Sequence, residues 1–366
     1  MSTLNATNIK HGSSGTNNIV LDSAGNVTIG NDLSFNGNVA NDLNVTGDIS
    51  STGDVQMASL NGGPLAGFRN KIINGACQIA QRSTSEAGVT ASGYYTCDRW
   101  YFPLSSLGTW TVSQSGAAPD GFSNSFKIDC TTADTSPAAN DFLYINQRIE
   151  GQDLQDLQYG LTGAKTITLS FWVRSNKTGT ASFTVRQIDS GRQYSTTYTI
   201  DSTNTWEYKT ITIPGDVASQ IDNDNGIGLS LEWWLNSGST YTGGSTQDWG
   251  ASNNTNRNPS NFELGNATTN EFFLTGAQLE LGPVATPFEH RSYGAELALS
   301  RRYYAKFTMQ VEAAGKTDVW HHGMRATPTA TPLSGGASAF PKSADYTVMG
   351  SSGSTQNATV EFDAEL

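Results

Sequence analysis

The sequence predicts a mainly β protein with an extended N-terminal β-repeat stalk, a jelly-roll-like β-sandwich and a small C-terminal β-rich domain. Three observations lead to this fold class. Apolar and polar residues alternate in many short segments, which is the period of a half-buried strand. Glycine accounts for 38 of the 366 residues, and glycine, asparagine and serine separate these segments. Aromatic residues make up 10% of the chain, which is too many for a simply disordered polypeptide.

The predicted stalk covers residues 1–63 and contains a short repeat. Leu33-Ser-Phe-Asn-Gly-Asn-Val39 recurs as Leu43-Asn-Val-Thr-Gly-Asp-Ile49, with apolar residues at alternating positions around a glycine. One copy cannot bury its apolar face alone, so it needs neighbours along the chain or identical partners around an axis. A flexible linker is the alternative. The constant register of the apolar positions favours three chains around a threefold axis, and therefore a homotrimer.

Residues 64–290 form the predicted sandwich, which begins after the turn signal Gly62-Gly-Pro64. The segments 166–174 and 227–235 each place apolar residues at every second position, which supplies two inner faces that can pack on each other. No long helical pattern interrupts this region, and this favours a jelly roll. The predicted strands are Lys71–Ala80, Arg99–Leu104, Thr109–Gln114, Ser125–Cys130, Phe142–Ile149, Thr166–Arg174, Ala181–Ile188, Tyr194–Ile200, Glu207–Ile213, Ile227–Leu235 and Phe272–Leu281.

The last of these strands is followed at once by a fixed exit turn. Gly282-Pro283 ends the strand because proline has no amide hydrogen to donate, and Thr286-Pro287 fixes a second bend. Strict alternation along the strand gives two faces. The first contains Phe273, Ala277, Leu279 and Leu281, and the second contains Phe272, Leu274, Gln278 and Glu280.

Residues 291–366 form the predicted C-terminal domain, which opens with a helix over Tyr293–Tyr303. Pro328 and Pro332 alternate with threonines, which fits an edge strand. His321 and His322 are adjacent, but neighbouring strand residues point in different directions, so no metal site is predicted. Strands are expected at Tyr304–Val311, Thr317–His321, Gly323–Thr331, Tyr346–Met349 and Thr359–Phe362.

A long loop between residues 236 and 263 is the candidate ligand site, and the C-terminal tip over residues 291–366 is the alternative. Loops of this length without structure of their own are usually functional or disordered. Its aromatic side chains could stack on a sugar ring while its acidic, amide and basic groups bond the hydroxyls. Alternatively, Trp249 folds back to cover the edge of the sandwich. The candidate glycan-binding residues are Tyr241, Asp248, Trp249 and Arg257.

Several tryptophans outside this loop have two possible positions. Trp172 lies opposite the apolar face of its strand, where burial under a loop is favoured over a place in a glycan groove. In the pairs Trp100-Tyr101 and Trp233-Trp234, one residue is expected in the core and the other exposed or at a subunit contact.

Composition and charge exclude several classes of partner. The net charge of −12 and the absence of a basic cluster argue against nucleic acid. No segment has the roughly 20 apolar residues of a membrane helix, and the N-terminus does not resemble a signal peptide. The three cysteines form no Cys-x-x-Cys pair, so neither a disulfide framework nor a zinc site is indicated.

No catalytic or cofactor motif is present, so the sequence predicts no cofactor, no metal and no enzymatic activity. The phosphate-binding, dinucleotide-binding, zinc-protease and serine-hydrolase patterns are all missing. Glycoside hydrolysis needs only two carboxylates about 5 to 9 Å apart. Asp248 with Glu263, or Glu232 with Glu271, are the pairs that could serve, but acidic residues in an acidic chain usually solvate the surface.

Several segments, in this order, resemble the carbohydrate-binding-module-like sandwich of bacteriophage tail fibres and related virion adhesins. They span roughly residues 68 to 304, and together they are more specific than any one alone. The segments are Asn74-Gly-Ala-Cys-Gln-Ile-Ala-Gln-Arg82 with Asp98-Arg-Trp-Tyr101, Leu169-Ser-Phe-Trp-Val-Arg-Ser-Asn-Lys-Thr-Gly-Thr180, Thr205-Trp-Glu-Tyr-Lys-Thr210, and Gly276-Ala-Gln-Leu-Glu-Leu-Gly282 with Ala285-Thr-Pro-Phe-Glu289.

The resemblance implies a structural or host-binding role on a virion and does not imply a catalytic site. The expected protein is a trimeric tail fibre that is assembled in a bacterial cytoplasm. It would be held to other tail or adaptor proteins through its N-terminus and would contact a host glycan. A capsid or neck fibre without a receptor role is the alternative, and a glycan-cleaving tailspike is a further one.

Overall fold

The computed structural model describes residues 8–9, 19–21, 27–29, 68–311, 316–320, 323–333, 338–344, 346–350 and 356–366. Residues 1–56 form one compact unit and residues 57–366 another. In the first unit, β1 (Asn8–Ile9), β2 (Ile19–Leu21) and β3 (Val27–Ile29) pair as an antiparallel sheet. The Leu33 to Ile49 repeats lie outside the described residues, so the threefold stalk stays a prediction.

The sandwich in the second unit is one long antiparallel sheet that curls back on itself. The strand order is β11-β8-β14-β6-β5-β7-β12-β9-β10-β13, and β4 pairs with β5. The strands are β4 (Ser85–Tyr94), β5 (Trp100–Ser115), β6 (Ser125–Thr132), β7 (Phe142–Glu150), β8 (Ile167–Ser175), β9 (Gly179–Gln187), β10 (Arg192–Ile200), β11 (Glu207–Ile213), β12 (Ile227–Ser237), β13 (Gln247–Ala251) and β14 (Glu271–Leu281), with short 3-10 helices at Gly151–Leu157, Asn254–Asn256 and Leu264–Asn266.

Strand β5 passes from one layer of the sandwich to the other. Its first half pairs with β7 and its second half with β6. We call β11, β8, β14, β6 and the second half of β5 sheet A, and the first half of β5 with β7, β12, β9, β10 and β13 sheet B. The Phe171 ring of sheet A meets the Trp233 ring of sheet B at 5.8 Å between centroids. The two sheets therefore face each other across one core, which confirms the predicted mainly β sandwich.

The inner faces of the two predicted core strands are confirmed. Along β8 and β12, the apolar side chains at every second position are buried in a single cluster. The free cysteines are buried in the same cluster. The large aromatic side chains meet edge to face at the centre of this cluster. The core positions on the two strands are Ile167, Leu169, Phe171, Val173, Leu229, Leu231, Trp233 and Leu235.

Some predicted strands were wrong. Residues 71–80 form turns instead of a strand, because Asn74 and Cys77 both adopt positive φ and break the alternation. The Asn74 side chain accepts a hydrogen bond from the Ile79 amide and donates to the Ile79 and Asp98 carbonyls, which fixes this turn. The two strands predicted between residues 99 and 114 are the single strand β5, and β4 and β13 were missed.

The faces predicted for the closing strand β14 were right from Ala277 onward and wrong for the residues before Gly276. Gly276 has φ of 59°, and the register with β8 shifts between Thr275 and Gln278. This bulge adds a residue and reverses the alternation. Phe272 and Leu274 therefore point into the core together with Ala277 and Leu279, whereas Phe273 lies on the outer face of sheet A beneath Lys127 and Arg174.

The C-terminal segment contains the predicted helix and two small sheets. Helix α1 (Tyr293–Arg301) is capped at its N-terminus by Ser292, whose hydroxyl accepts a hydrogen bond from the Ala295 amide. The sheets have the orders β15-β20-β17 and β16-β19-β18, and β17, which contains Pro332, is an edge strand as predicted, whereas Pro328 lies just before it. His321 and His322 lie outside the described residues. The strands are β15 (Tyr304–Val311), β16 (Lys316–Trp320), β17 (Thr329–Pro332), β18 (Ser338–Pro341), β19 (Tyr346–Gly350) and β20 (Gln356–Asp363).

Buried ion pairs and cation-π contacts join the C-terminal segment to the sandwich. Arg302 donates two hydrogen bonds to the buried Glu150 carboxylate, at 2.7 and 3.0 Å. Arg99 pairs with Glu365 and stacks on the Tyr303 ring at 3.4 Å. Such bidentate and stacked contacts fix orientation as well as distance. The C-terminal segment is thus docked on the sandwich by specific side chains.

Candidate functional site

The predicted loop residue Trp249 supports the core. Its indole nitrogen donates to the Pro214 carbonyl at 2.7 Å, and its ring meets Tyr159 and Tyr194 at centroid distances of 5.6 and 6.0 Å. The side chain is partly buried and packs against the main core cluster. Trp249 therefore occupies the alternative position that the sequence left open, covering the edge of the sandwich.

Arg257 lies on the outer face of sheet B and is engaged by Glu232. The guanidinium contacts both oxygens of that buried carboxylate, at 2.9 and 3.0 Å. It also lies 4.7 Å from the centre of the Trp234 ring and 5.5 Å from that of Tyr241. Trp233 lies in the core, and Trp234 is fully buried and stacks on Tyr144, so the expectation that one residue of this pair is exposed or at a subunit contact was wrong.

The predicted site residues are therefore divided between two places. Tyr241, which is half-buried, and Arg257 contact Trp234 on the outer face of sheet B. In contrast, Trp249 packs on the core side and Asp248 is exposed on β13. The four residues are close in sequence, but this closeness does not predict a common site, because the loop residues reach opposite sides of the sheet. The structure does not bring the four residues into one site.

The predicted carboxylate pair Glu232 and Glu271 is also separated. Glu232 lies on the outer face of sheet B, and Glu271 lies on the outer face of sheet A with Lys127 and Arg174. The two carboxylates are thus on opposite sides of the sandwich. In the other pair, Asp248 and Glu263 are both exposed.

An open groove of about 590 Å³ lies on the outer face of sheet A. Its floor is formed by Trp172 on β8 and Tyr208 on β11, which are paired across the two strands with ring centroids 5.3 Å apart. Tyr208 is 43% exposed and Trp172 is partly exposed. The expectation that a loop buries Trp172 was wrong, because this side chain lines the groove. We call it the aromatic groove.

The bulge in β14 makes room for this floor. A Cβ on Gly276 would lie 2.7 Å from the Phe122 ring and 3.0 Å from the Trp172 ring. Both distances are too short for an ordinary contact, so only glycine lets the two aromatic rings approach the strand this closely. The same bulge that reverses the faces of β14 thus seats the aromatic side chains of the groove.

One wall of the groove is the exit turn after β14. Gln278 and Glu280 are buried on the outer face of sheet A and hold this turn down. Glu280 accepts hydrogen bonds from the amide and the hydroxyl of Thr286, at 2.8 and 2.7 Å, and Gln278 accepts from the Glu289 amide at 2.8 Å. The turn therefore folds back over the sheet and presents Phe288 to the groove.

The opposite wall is the loop between β5 and β6, which carries Asp120 and Phe122. Thr275 on β14 donates to the Asn124 carbonyl at 2.7 Å, which ties this loop to the sheet. Phe122 meets Phe288 and His290 of the other wall at centroid distances of 5.0 and 5.2 Å. The aromatic rings thus form a continuous surface, and Asp120 and His290 provide polar groups at its border.

The sequence contained part of the signal for this groove. Period two already places Trp172 and Tyr208 on faces opposite to apolar core residues. What the sequence did not show is that β8 and β11 are neighbours, or that the exit turn folds over them. Aromatic residues on the outer face of a sheet are therefore the signal to look for.

Comparisons with known proteins give no family assignment. No protein-family model matches the chain, and no curated protein matches it. Among solved structures, the enzymatically active domain of tailspike protein 4 from bacteriophage CBA120 is 14% identical, with a TM-score of 0.29, over 58% of this chain and 22% of that one.

Two further solved structures are similar over most of their own length. A protein from Bacteroides thetaiotaomicron to which sugar binding has been attributed is 13% identical, with a TM-score of 0.33, over 58% of this chain and 99% of that one. A family 11 carbohydrate-binding module from Clostridium thermocellum, solved with a mixed-linked tetrasaccharide, is 12% identical, with a TM-score of 0.27, over 56% of this chain and 99% of that one. Likeness at this level assigns no function to the chain.

The described residues contain neither a candidate membrane span nor a candidate metal site. None of the helices in the described part of the chain is long and apolar enough to span a membrane. Within the same residues, no three His, Cys, Asp or Glu side chains are grouped so that they could hold a metal ion.

Proposed function

We propose that the protein is a non-catalytic glycan-binding fibre of a bacteriophage or related virion, and that the aromatic groove is its glycan site. The observation that carries the proposal is the adjacent pair of the exposed Tyr208 and the partly exposed Trp172 on a rigid sheet, between two walls with polar groups. The apolar face of a sugar ring stacks on aromatic side chains, while its hydroxyls need hydrogen-bonding groups nearby. The ordered sequence resemblance to tail-fibre sandwiches supports the virion role.

The groove is rigid because both of its floor residues belong to paired strands. β8 lies between β11 and β14, so Trp172 is held by hydrogen-bonded neighbours on both sides. A preformed aromatic surface loses little conformational entropy on binding a ligand. Each groove would bind weakly, with a dissociation constant on the order of millimolar, and several copies per virion would raise the affinity by avidity.

The test is binding of the full-length protein to a panel of purified bacterial surface polysaccharides. Trp172→Ala and Tyr208→Ala should each weaken binding at least about tenfold, since stacked aromatic anchors dominate such sites. Tyr293→Ala is a matched control for Tyr208→Ala, because Tyr293 is also an exposed tyrosine but does not line the groove. Unchanged binding in both groove variants, with folding verified, would contradict the glycan site.

The trimer is part of the proposal and has a separate test. Identical partners around a threefold axis would bury the apolar faces of the repeats in residues 1–63, and threefold closure would also protect exposed strand edges. Native mass spectrometry of the full chain at micromolar concentration should show a trimer. Deleting residues 1–60 should loosen it while the sandwich stays folded. A monomeric full-length chain would contradict this part.

The alternatives have their own outcomes. A capsid or neck fibre without a receptor role would bind no polysaccharide in the panel. The groove variants of such a fibre would adsorb to cells as the wild type does. A glycan-cleaving tailspike would release new reducing ends from a polysaccharide that it binds. We expect binding without release of reducing ends.

A further inference from the structure

The aromatic groove has an acidic border. Among the residues that line it, Asp120 is the one acidic residue, and neither lysine nor arginine is present. Asp120 is exposed at the border, and His290 and the Tyr208 hydroxyl supply further polar atoms. A ligand in the groove therefore meets a carboxylate and aromatic rings, without a lining guanidinium or ammonium group.

Basic residues elsewhere on the same face of sheet A are already paired. Lys127 contacts the Asp129 and Glu271 carboxylates at 2.7 and 3.0 Å, and Arg174 lies 3.9 Å from Glu271. Lys127 and Arg174 also lie over the Phe273 ring, at 5.0 and 4.8 Å from its centre. These cations are engaged by acidic and aromatic partners of the sheet itself.

Two cations, Arg291 and Arg69, lie beside the exit turn that forms one wall of the groove. Arg291 contacts the Glu289 carboxylate at 3.4 Å. Arg69 contacts the turn at two points. Its guanidinium donates to the Pro287 carbonyl at 3.5 Å, and its amide donates to the Glu289 carboxylate at 3.2 Å. Glu280 lies beneath the same turn. Asp120, Glu280 and Glu289 thus supply three carboxylates around the groove against these two guanidinium groups, and the net charge at the groove stays negative.

We infer that the aromatic groove selects uncharged glycans and that Asp120 determines this specificity. The inference rests on the proposed function. Sugar hydroxyls donate hydrogen bonds to a carboxylate, and charge-assisted hydrogen bonds of this kind are the stronger ones. A uronate or sialate carboxylate beside Asp120 would instead bring two anions together in a partly desolvated groove, which disfavours binding.

The experiment compares matched polysaccharides that differ only in charge. Each neutral polysaccharide that the full-length protein binds is oxidised at C6 to its uronate form, and both forms are titrated at pH 8 in 50 and 500 mM NaCl. The wild-type protein should bind the neutral form at least about tenfold more tightly in low salt. The ratio should shrink in high salt, because added salt screens the repulsion.

Variants of Asp120 identify the residue responsible. Asp120→Asn should weaken binding of the neutral form by roughly fivefold and reduce the ratio of the affinities for the neutral and the oxidised forms. Asp120→Lys should bind the oxidised form more tightly than the neutral form. Asp248→Asn is the matched control, because Asp248 is also an exposed aspartate but does not line the groove, and it should change neither affinity.

The outcomes separate this inference from the proposed function. If the oxidised form binds as tightly as the neutral one, or if Asp120 variants leave the ratio unchanged, the inference is wrong although the glycan site stands. If the folded wild-type protein binds no polysaccharide in either form, the proposed function is contradicted and the inference fails with it.

Discussion

Gly276 lies directly beneath Trp172, so that a Cβ at position 276 would come within 3.0 Å of the indole ring. The backbone of Gly276 has φ of 59°, which side chains disfavour. This one glycine therefore links the bulge of the closing strand to the aromatic groove. It turns Phe272 and Leu274 into the core and leaves space above the strand for the rings of Trp172 and Phe122.

Gly276→Ala should destabilise the protein by more than the backbone strain alone. Positive φ costs an alanine about 1 kcal/mol, and displacing Phe122 and Trp172 adds to this cost. Gly88→Ala is the matched control, because Gly88 has φ of 72° and a Cβ there meets nothing within 4 Å. Chemical denaturation should show a larger loss for Gly276→Ala, and equal losses would contradict the packing described here.

Phe171→Ala should cost roughly 3 to 5 kcal/mol of unfolding free energy, because the ring is fully buried and its loss opens a cavity. Its neighbours Tyr198 and Trp233 meet it edge to face at 5.2 and 5.8 Å. Tyr208→Ala, on the outer face of the same sheet, should cost less than about 1 kcal/mol. Similar costs for the two variants would mean that the strand faces are assigned wrongly.

Trp249→Ala should lower stability by about 2 to 4 kcal/mol and leave polysaccharide binding unchanged. The indole packs on Tyr159 and Tyr194 and donates to the Pro214 carbonyl, so its removal costs both burial and a hydrogen bond. Thermal unfolding and a binding titration below the transition measure the two effects. Lost binding in a fully folded variant would restore the loop as the glycan site.

Glu232→Gln should destabilise the protein by about 3 to 5 kcal/mol, because it leaves the Arg257 guanidinium buried without its carboxylate. Glu232 is 1% exposed and also accepts from the Trp234 indole at 2.9 Å. Glu263→Gln is the control at an exposed glutamate and should change stability by less than about 0.5 kcal/mol. Urea titrations of the two variants test this, and a neutral Glu232→Gln would contradict it.

Stability should depend on pH through Asp98. Burial raises the pKa of this carboxyl to about 6, although hydrogen bonds from Gln81 and the charge of Arg82 act in the opposite direction. Because the folded protein favours the protonated acid, the Asp98 contribution is fully present below about pH 4 and is lost as pH rises through 6. The unfolding free energy should fall by about 3 kcal/mol over this pH range because of Asp98. The Asp98→Asn variant should not show this fall.

The measurement is the unfolding free energy of both proteins between pH 4 and pH 8. Glu150 contributes with the opposite sign. Burial acts to raise the pKa of its carboxyl, but hydrogen bonds from Arg302 outweigh this effect, so the pKa is lowered. Comparing wild type with Asp98→Asn cancels the Glu150 contribution. A constant difference between the two proteins across this range would show that Asp98 titrates normally.

The sequence predicted the sandwich well where local periodicity decides the structure. The inner faces of β8 and β12 follow directly from the alternation of apolar residues, and the helix at Tyr293 and the proline-bearing edge strand β17 follow from local signals. Alternation failed at Gly276 and at Asn74, because a left-handed residue changes the direction of the chain without changing its composition.

The sequence by itself determined the fold class, because burial of alternating apolar side chains is a local property of each strand. Tertiary structure alone decided which polar and aromatic side chains share a surface. Trp172 and Tyr208 meet only because β8 and β11 pair, whereas Trp249 and Arg257, close in sequence, contact different sides of the sheet. Neighbouring strand residues point in opposite directions, so closeness in sequence does not imply a common site.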